Sequence, residues 1–397
     1  MNGSEDRFDV VIVGGAVVGS AAAYFLSEDP GWHGSIAVVE PDPTYAQSST
    51  ALSAASARHQ FSNPVNIAIS QFGTEFIADF PARVAVDGDA PELGFRDTGY
   101  LFLATESGID VLRRNHEVQR AAGVEVVLLS PDETRQRFPY LSTTGLAGAS
   151  LGLSGEGSLD ANGLLQGLRR RARDNGVTYV RDRVVGFSQL GAGRIDHVIL
   201  GSGRRLACGF VVNCAGAAAA QVAALAGVAL PVEPRKRCVF VFDAAETIEA
   251  PFPLIIDPSG VWVRADPPYF MAGVAPPVDP AVSLADFTVD RRLFEERIWP
   301  VLAHRIPAFE ALLVKHAWAG HYAYNTLDQN AVVGRADRVA NLILANGFSG
   351  HGLQQAPGVG RAVSELIIHG EYRTLDLSEL GHDRVAAERP FRELNVI

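Results

Sequence analysis

Cysteine is scarce in this 397-residue sequence, which contains only Cys208, Cys214 and Cys238. An odd number without paired spacing argues against a disulfide framework and against a zinc site, so we expect no bound metal and a reducing compartment. Basic residues are also in deficit, with 34 Lys and Arg against 45 Asp and Glu and a net charge of −11. Because no basic surface is available to attract a phosphate backbone, we expect no nucleic-acid partner.

A long apolar run and a secretory signal are absent as well. The most apolar window, residues 215–230, is interrupted by Gly216, Gln221 and Gly227, so we expect no membrane span. Residues 1–9 are polar and contain no basic region followed by an apolar stretch, so no secretory signal is predicted. The 47% apolar fraction is ordinary for a globular protein. We therefore expect a cytoplasmic protein with two domains or one large discontinuous unit.

The first forty residues have the pattern of a strand–helix–strand unit. Val10 to Val13 is a continuous apolar run, typical of a parallel strand buried on both faces. Residues 14–19 (Gly-Gly-Ala-Val-Val-Gly) follow at once, and an Ala-rich helix is predicted from about Val17 to Leu26. A second apolar run, residues 36–39, leads to Glu40, which lies 21 residues after Gly19.

This unit predicts a dinucleotide site. The glycines permit a tight turn and a close approach of helix to strand, and the helix N-terminus offers unpaired N–H groups to a pyrophosphate. Glu40 lies where an acidic side chain accepts hydrogen bonds from ribose hydroxyls. One position departs from the pattern, because Ala16 replaces the middle glycine of the motif.

The following region favours FAD over NAD. Instead of further strand–helix–strand units, residues 48–58 form a segment of small side chains that ends at Arg58 and permits close approach to a bulky planar group. Asn63 and Pro64 then predict the start of a helix. Near the C-terminus, a glycine-containing loop at residues 347–352 joins a buried strand to a helix that reaches about Ile368. Such a loop is an anion site, suited to the charge of a reduced flavin ring.

These motifs, together with residues 324–330 (Tyr-Asn-Thr-Leu-Asp-Gln-Asn) and 347–352 (Gly-Phe-Ser-Gly-His-Gly), resemble the FAD-dependent D-amino acid oxidase superfamily. Within it the chain is similar to the sarcosine oxidase and glycine oxidase branch, close to the FAD-dependent oxidoreductase domain-containing proteins. The resemblance implies an α/β (α+β) fold in which a Rossmann-like FAD-binding domain is interleaved with an antiparallel-sheet substrate domain. The implied FAD-binding segments are 1–88, 148–228 and 322–397, and the implied substrate-domain segments are 89–147 and 229–321.

The motif and the resemblance together imply an FAD site. Its expected contact residues are Gly14, Gly15, Ala16, Val17, Val18, Gly19, Glu40, Pro41, Ser48, Ser49, Thr50, Val184, Ala215, Gly216, Gly320, Gly347, Ser349, Gly350, His351, Gly352, Leu353 and Gln354. His321 stands where monomeric sarcosine oxidases carry the cysteine that attaches FAD covalently, so we expect non-covalent FAD.

Four residues are the candidates for contact with substrate. Arg58 is the first, because a planar guanidinium binds a carboxylate bidentately and the family places a substrate-binding arginine there. Arg264, on a predicted strand, is the second carboxylate candidate. His351, between two glycines, is expected to contact cofactor or substrate, and Gln354 stands where sarcosine oxidases carry a carboxylate-binding lysine.

The resemblance implies oxidation of a secondary (N-substituted) or small amino acid, such as a sarcosine-, iminodicarboxylate- or opine-like compound. Hydride would pass to flavin N5, and water would hydrolyse the imine. Oxygen or an electron carrier would be the acceptor, and Met271, in place of an oxygen-activating lysine of the family, leaves a dehydrogenase open. The alternatives are a 2-hydroxy acid dehydrogenase, which needs a base such as His351, and a non-catalytic flavoprotein that acts as an assembly factor.

Overall fold

The computed structural model describes residues 6–189, 193–248 and 251–395. Its strands are β1 (Asp6–Val13), β2 (Ile36–Glu40), β3 (Ser56–Ala57), β4 (Arg96–Asp97), β5 (Tyr100–Ala104), β6 (Val126–Leu129), β7 (Gly148–Gly152), β8 (Gly157–Ser158), β9 (Thr178–Arg181), β10 (Val184–Gln189), β11 (Ile195–Leu200), β12 (Arg205–Asn213), β13 (Val232–Ala244), β14 (Leu254–Ile256), β15 (Trp262–Asp266), β16 (Tyr269–Gly273), β17 (Leu312–Asn325), β18 (Val332–Ala336) and β19 (Val339–Asn346).

The helices begin and end within the same described ranges. They are α1 (Val17–Glu28), α2 (Pro64–Ala78), α3 (Phe80–Val84), α4 (Ile109–Ala121), α5 (Pro131–Arg137), α6 (Ala161–Asp174), α7 (Ala219–Leu225), α8 (Trp299–Arg305), α9 (Gly352–Ile368) and α10 (His382–Ala386). Among these described helices, no segment combines the length and the apolar character that a membrane crossing requires.

The first sheet has eight strands around a parallel core with the order β9-β2-β1-β12-β19. Strands β10, β11 and β18 join it in antiparallel pairs. Val10, Val11 and Ile12 of β1 have no exposed surface, because helices or neighbouring chain cover both faces of the strand. The predicted strand–helix–strand unit is confirmed, with α1 between β1 and β2.

Helix α1 is buried along almost its whole length between the sheet, α6 and α9. The two helices α1 and α9 approach so closely that a Cβ atom on Gly360 would lie 2.7 Å from the carbonyl carbon of Ala21. This contact fixes the C-terminal loop that precedes α9 against the N-terminal nucleotide motif, although more than 300 residues separate them in sequence.

The second sheet also has eight strands, in the order β17-β13-β16-β15-β14-β5-β7-β6. Its pairs are antiparallel except for β14 and β5, which run parallel, so the predicted antiparallel sheet is in fact mixed. Strand β7 and the last residues of β17 pair in this sheet, although the predicted ranges place residues 148–152 and 322–325 in the other domain. The two-domain division itself stays a prediction.

A third, small sheet has the strand order β3-β8-β4, with both pairs antiparallel. It fixes the backbone that leads into Arg58, because β3 ends at Ala57. The carboxyl ends of β1, β2 and β12 and the paired strands β13 and β17 contribute the residues that line one large cavity. This is the position at which open parallel sheets bind ligands.

Candidate functional site

The turn between β1 and α1 forms one end of the cavity. Gly14 has φ +95°, and a Cβ atom there would lie 2.5 Å from the carbonyl oxygen of Cys214. A Cβ atom on Gly19 would lie 1.9 Å from the carbonyl oxygen of Gly14. Glycine is therefore required at both positions, because the turn packs directly on α1 and on the end of β12. At the start of α1, Val17 N donates a hydrogen bond of 3.3 Å to Thr50 Oγ1, and both residues line the cavity. A helix N-terminus in this position is suited to bind an anion.

Glu40 lies at the end of β2 with its carboxylate fixed by backbone. One oxygen accepts a hydrogen bond from Gly15 N and the other from Asp42 N, each at 2.9 Å. Burial raises the pKa of Glu40, although the two N–H donors oppose that shift. Each oxygen keeps a further lone pair, which a pair of ribose hydroxyls would satisfy.

The cavity has a volume of about 770 Å³, within the range of cofactor and small-molecule sites. Most of the residues predicted to contact FAD or substrate line this cavity. Those that line it are Gly14, Ala16, Val17, Val18, Glu40, Pro41, Ser48, Ser49, Thr50, Arg58, Val184, Ala215, Gly216, Gly320, Gly350, His351, Gly352, Leu353 and Gln354.

Five predicted residues do not line the cavity, namely Gly15, Gly19, Arg264, Gly347 and Ser349. Gly15 acts through its N–H bond to Glu40, and Ser349 fixes the C-terminal loop, since its Oγ accepts a hydrogen bond of 3.0 Å from Asn325 N. Gly347 has φ +71°, which allows the turn of that loop. These residues shape the site without facing it.

The cavity lining combines open space beside the backbone with a run of small side chains. Gly216 lines the cavity with φ +54°, and a Cβ atom there would meet no other atom within 4 Å, so the backbone leaves open space for a ligand. Gly350, with φ +102°, presses against the ring of Tyr322, which a Cβ atom would approach to 2.6 Å. Between these points the small side chains of residues 48–56 form a wall. FAD fits this arrangement, in which Glu40 would accept hydrogen bonds from a ribose and the Gly350–Gly352 loop would lie beside the ring.

Arg58 is a buried cation next to the Gly350–Gly352 loop. Its side chain stacks on Phe61, with the guanidinium carbon 4.1 Å from the ring centroid, and only 2% of the residue is exposed. Nη1 donates a hydrogen bond to the carbonyl of Gln60, and Nη2 donates to the carbonyl of Asn395 and to His351 Nε2 at 3.0 Å. Within the described ranges, no carboxylate forms an ion pair with Arg58. A buried guanidinium without a counter-ion is the expected form of an anion site.

His351 lies in contact with Arg58 and is uncharged. Burial and the adjacent guanidinium hold the pKa of His351 well below its usual range. Arginine has only donors, so Nε2 must accept the hydrogen bond from Arg58 and the ring proton must lie on Nδ1. His351 therefore orients Arg58 and has no free lone pair on its ring.

Gln354 joins this cluster through the backbone of Arg58. Its Oε1 accepts a hydrogen bond of 2.6 Å from Arg58 N, so the amide is partly used by the protein itself. The predicted contact of Gln354 with a substrate would be made by the remaining amide N–H group.

Arg264 is buried but is not among the residues that line the cavity. Its guanidinium donates to the carbonyls of Ala54 and Ala265 and to the carboxylate of Asp266, all within 3.1 Å, and to Met271 Sδ at 3.2 Å. Four of its five N–H groups thus have protein partners. Arg264 and Met271 hold β15 against β16 and the small-residue segment, and the predicted role of Arg264 in binding substrate has little geometric support.

Sequence reasoning missed Arg237, which does line the cavity. It pairs bidentately with Asp279 at 2.8 Å, and its guanidinium carbon lies 4.9 Å from the Tyr322 ring centroid. It also missed Tyr100, Leu254 and Trp262, which form an apolar wall. Alternation of polar and apolar residues along β13 was the only available signal, and it does not separate a cavity-facing arginine from a surface arginine.

Glu156 fixes the backbone that directly follows Arg58. This fully buried carboxylate accepts hydrogen bonds from His59 N, Gln60 N and Tyr100 N, and from the Gln60 side chain, at 2.7–3.2 Å. Burial raises the pKa of Glu156 to about 6, from an ordinary value of 4.5.

Glu156→Gln should change how stability depends on pH. The folded-state pKa lies above the unfolded value, so the folded protein binds this proton more tightly. Its stabilising contribution is full below about pH 4.5 and is lost as the pH rises through 6. Relative to the variant, the free energy of unfolding of the parent protein should fall by about 2 kcal/mol between pH 4 and 7. Urea unfolding at several pH values measures this, and a difference that stays constant with pH would contradict it.

Comparison with known proteins gives consistent matches. The model of the FAD dependent oxidoreductase family (DAO) matches residues 9–366. FAD-dependent oxidoreductase domain-containing protein 1 from Xenopus laevis is 40% identical, over 99% of this chain and 85% of that protein. Glycine oxidase from Geobacillus kaustophilus is 26% identical, over 91% of this chain and 93% of that protein.

Solved structures show the same architecture. L-proline dehydrogenase from P. horikoshii superposes with a TM-score of 0.86 at 25% identity, covering 98% of this chain and all of that one. Glycine oxidase from Geobacillus kaustophilus superposes with a TM-score of 0.80 at 22% identity, covering 95% and 98%.

Proposed function

Because the chain belongs to the DAO family of FAD-dependent oxidoreductases, we propose that it oxidises a secondary (N-substituted) or small amino acid whose carboxylate binds to Arg58. The observation that carries the proposal is the buried Arg58 guanidinium, which faces the cavity without a carboxylate partner in the described part of the chain. The names of the similar L-proline dehydrogenase and glycine oxidase structures support this substrate class.

Arg58 is prepared to bind a carboxylate. Its guanidinium plane is held by stacking on Phe61 and by the hydrogen bonds to Gln60, His351 and Asn395. Burial lowers the pKa of Arg58, but an arginine stays protonated at any physiological pH. A carboxylate bound to this buried guanidinium gains charge-assisted hydrogen bonds, which fix the orientation of the rest of the substrate.

The wall next to Arg58 is apolar. The ring centroid of Phe102 lies 5.6 Å from the Arg58 guanidinium carbon. Phe102 packs with Tyr100, Leu254 and Trp262, three residues that line the cavity. Such a wall accepts an alkyl group on the nitrogen or on the α-carbon of an amino acid, and none of its four residues carries a carboxylate that would stabilise a charged ammonium group. The substrate amine would therefore react in its neutral form.

When bound, FAD supplies the two-electron acceptor for oxidation of the carbon–nitrogen bond, and the resulting imine is hydrolysed by water. The residues of this chain orient the substrate and exclude water. Arg58 holds the carboxylate, His351 holds Arg58, and the apolar wall covers the reacting carbon. No protein base is required, because the neutral amine provides the electron pair that assists loss of hydride.

Oxidation of a 2-hydroxy acid, the main alternative, requires a base for the hydroxyl proton. The histidine that was a candidate for that base, His351, uses its Nε2 lone pair to accept from Arg58 and carries a proton on Nδ1. The site as built therefore favours the amine. No contact in the described residues specifically favours a non-catalytic flavoprotein.

Anaerobic titration of the purified flavoprotein tests the proposal. Sarcosine, L-proline, glycine and iminodiacetate are compared with glycolate and L-lactate, and bleaching of the flavin absorbance is followed. We expect at least one amino acid to bleach the flavin and neither hydroxy acid to do so. Bleaching by hydroxy acids alone would overturn the proposal, and bleaching by no compound would favour a non-catalytic role.

The flavin should be released completely when the protein is precipitated with acid. The covalent attachment seen at this position in sarcosine oxidases needs a cysteine, and His321 donates its Nε2–H to the carbonyl of Asp286 at 2.8 Å. Burial raises the pKa of Cys214, a cavity-lining thiol, to about 12, so little reactive thiolate forms. Yellow colour in the supernatant is the expected result, and colour retained in the washed pellet would show a covalent link.

A further inference from the structure

The segment Glu393–Asn395 lies against the residues that precede and begin α2, more than 300 positions away in sequence. Glu393 is 1% exposed and forms no ion pair in the described part of the chain. Its carboxylate instead accepts hydrogen bonds from Ser62 N, Ser62 Oγ, Asn66 Nδ2 and Asn395 N at 2.7–2.9 Å. The segment is thus anchored by a buried charge.

Asn395 connects this anchor to Arg58. Its carbonyl accepts from Arg58 Nη2, its Nδ2 donates to the carbonyl of Gln60 at 3.1 Å, and its Oδ1 accepts from Asn115 Nδ2 at 3.0 Å. The Gln60 carbonyl is also the acceptor for Arg58 Nη1. Two backbone carbonyls therefore hold the protein-facing side of the guanidinium. One belongs to Asn395 itself, and the other, that of Gln60, also accepts a hydrogen bond from the Asn395 side chain.

Two buried carboxylates, Glu393 and Glu156, lie near Arg58. Glu393 and Glu156 lie close enough to raise the pKa of Arg58 against the effect of burial, but neither forms an ion pair with it. Both carboxylates keep their charge and are held in place by N–H and O–H donors. They thereby favour the buried cation and leave its remaining N–H groups free to bind an external carboxylate.

We propose that Glu393 and Asn395 are positioning residues that hold Arg58 ready for the substrate carboxylate, so that the C-terminal segment is part of the substrate site. The inference rests on the proposed function of Arg58. An arginine side chain has considerable rotamer freedom, and fixing the guanidinium before binding removes that entropic cost from the binding step.

The test measures binding of sodium acetate to the oxidised holoenzyme from the change in its flavin absorption spectrum. Acetamide, which has nearly the same shape but no charge, is the matched probe. Asn395→Ala removes both side-chain contacts of Asn395, Glu393→Gln removes the buried charge, and Leu394→Ala changes the exposed side chain between them and serves as the control. Flavin content and melting temperature are recorded for each variant.

We expect acetate to bind about tenfold more weakly to Asn395→Ala and Glu393→Gln, while acetamide binding and Leu394→Ala stay unchanged. In an Arg58→Met background, Asn395→Ala should have no further effect on acetate, because it acts through Arg58. If Glu393→Gln does not fold, the acetate affinity of Asn395→Ala alone tests the inference.

Equal acetate affinity in the parent protein and in Asn395→Ala would overturn the inference. It would also be overturned if Asn395→Ala weakened acetate binding as much in the Arg58→Met background as in the parent protein. Both results would leave the proposed function intact. If the parent protein does not distinguish acetate from acetamide, the binding role of Arg58 fails, and the inference fails with it.

Discussion

Arg58→Met should retain its flavin and yet raise the KM for the amino acid substrate by about 100-fold or more. The variant keeps an unbranched side chain that can pack on Phe61, but it removes the buried cation that faces the cavity. Loss of one partner from a buried charge pair typically costs 2–5 kcal/mol, and each 1.4 kcal/mol is a factor of ten. Steady-state kinetics and the ratio of flavin to protein absorbance are the measurements.

Arg264→Met provides the comparison, because both arginines are buried and both were predicted to bind substrate. The Arg264 guanidinium donates to Ala54, Ala265 and Asp266 and lies outside the cavity lining. We therefore expect a lower melting temperature and a KM changed by about twofold at most. A KM that rises in Arg264→Met and not in Arg58→Met would reverse the assignment of the carboxylate site.

Gly14→Ala should yield a protein that no longer binds FAD. A methyl group at this position would lie 2.5 Å from the carbonyl oxygen of Cys214, and the backbone has φ +95°. The turn must then move away from the end of β12, and the N–H groups at the start of α1 lose the position that a pyrophosphate requires. The expected preparation is colourless, and titration with FAD under fluorescence detection should show affinity reduced by at least about 100-fold.

Gly88→Ala is the control variant, because it introduces the backbone strain of a positive φ without a steric clash. Gly88 also has a positive φ, of +79°, but a Cβ atom there would meet no atom within 4 Å. This variant should lose only about 1 kcal/mol of stability and bind FAD normally. A yellow Gly14→Ala protein with ordinary FAD affinity would show that the turn does not hold the cofactor.

The strand–helix–strand unit at one end of the cavity could be predicted from the sequence, because its signals are local. A run of four apolar residues, a glycine turn and an acidic residue at a fixed spacing define a unit of about 35 residues. The capping box of α5 has an equally local signal, Ser-Pro-Asp-Glu at residues 130–133, and both of its hydrogen bonds are present between Ser130 and Glu133. Asn63 does precede α2 as predicted, but its side chain forms no capping hydrogen bond, and its Nδ2 donates instead to the carbonyl of Arg392.

The substrate end could be predicted only in part, because its contacts join distant segments. Arg58 and His351 were both candidates, yet nothing in the sequence shows that one donates to the other, which decides the protonation of His351. The partners of Arg58 in the segment 393–395 belong to a stretch with no recognisable motif. Arg237 and Arg264 both lie on strands of the second sheet, and only the structure shows which of them lines the cavity.

The most direct test of the account is a crystal structure of the holoenzyme with a bound carboxylate, using acetate and then a slow or unreactive amino acid. The account predicts FAD in the cavity between Glu40 and the Gly350–Gly352 loop, with the carboxylate of the ligand hydrogen-bonded to the Arg58 guanidinium. A carboxylate bound at Arg237 or outside the cavity, with no ligand contact to Arg58, would contradict it.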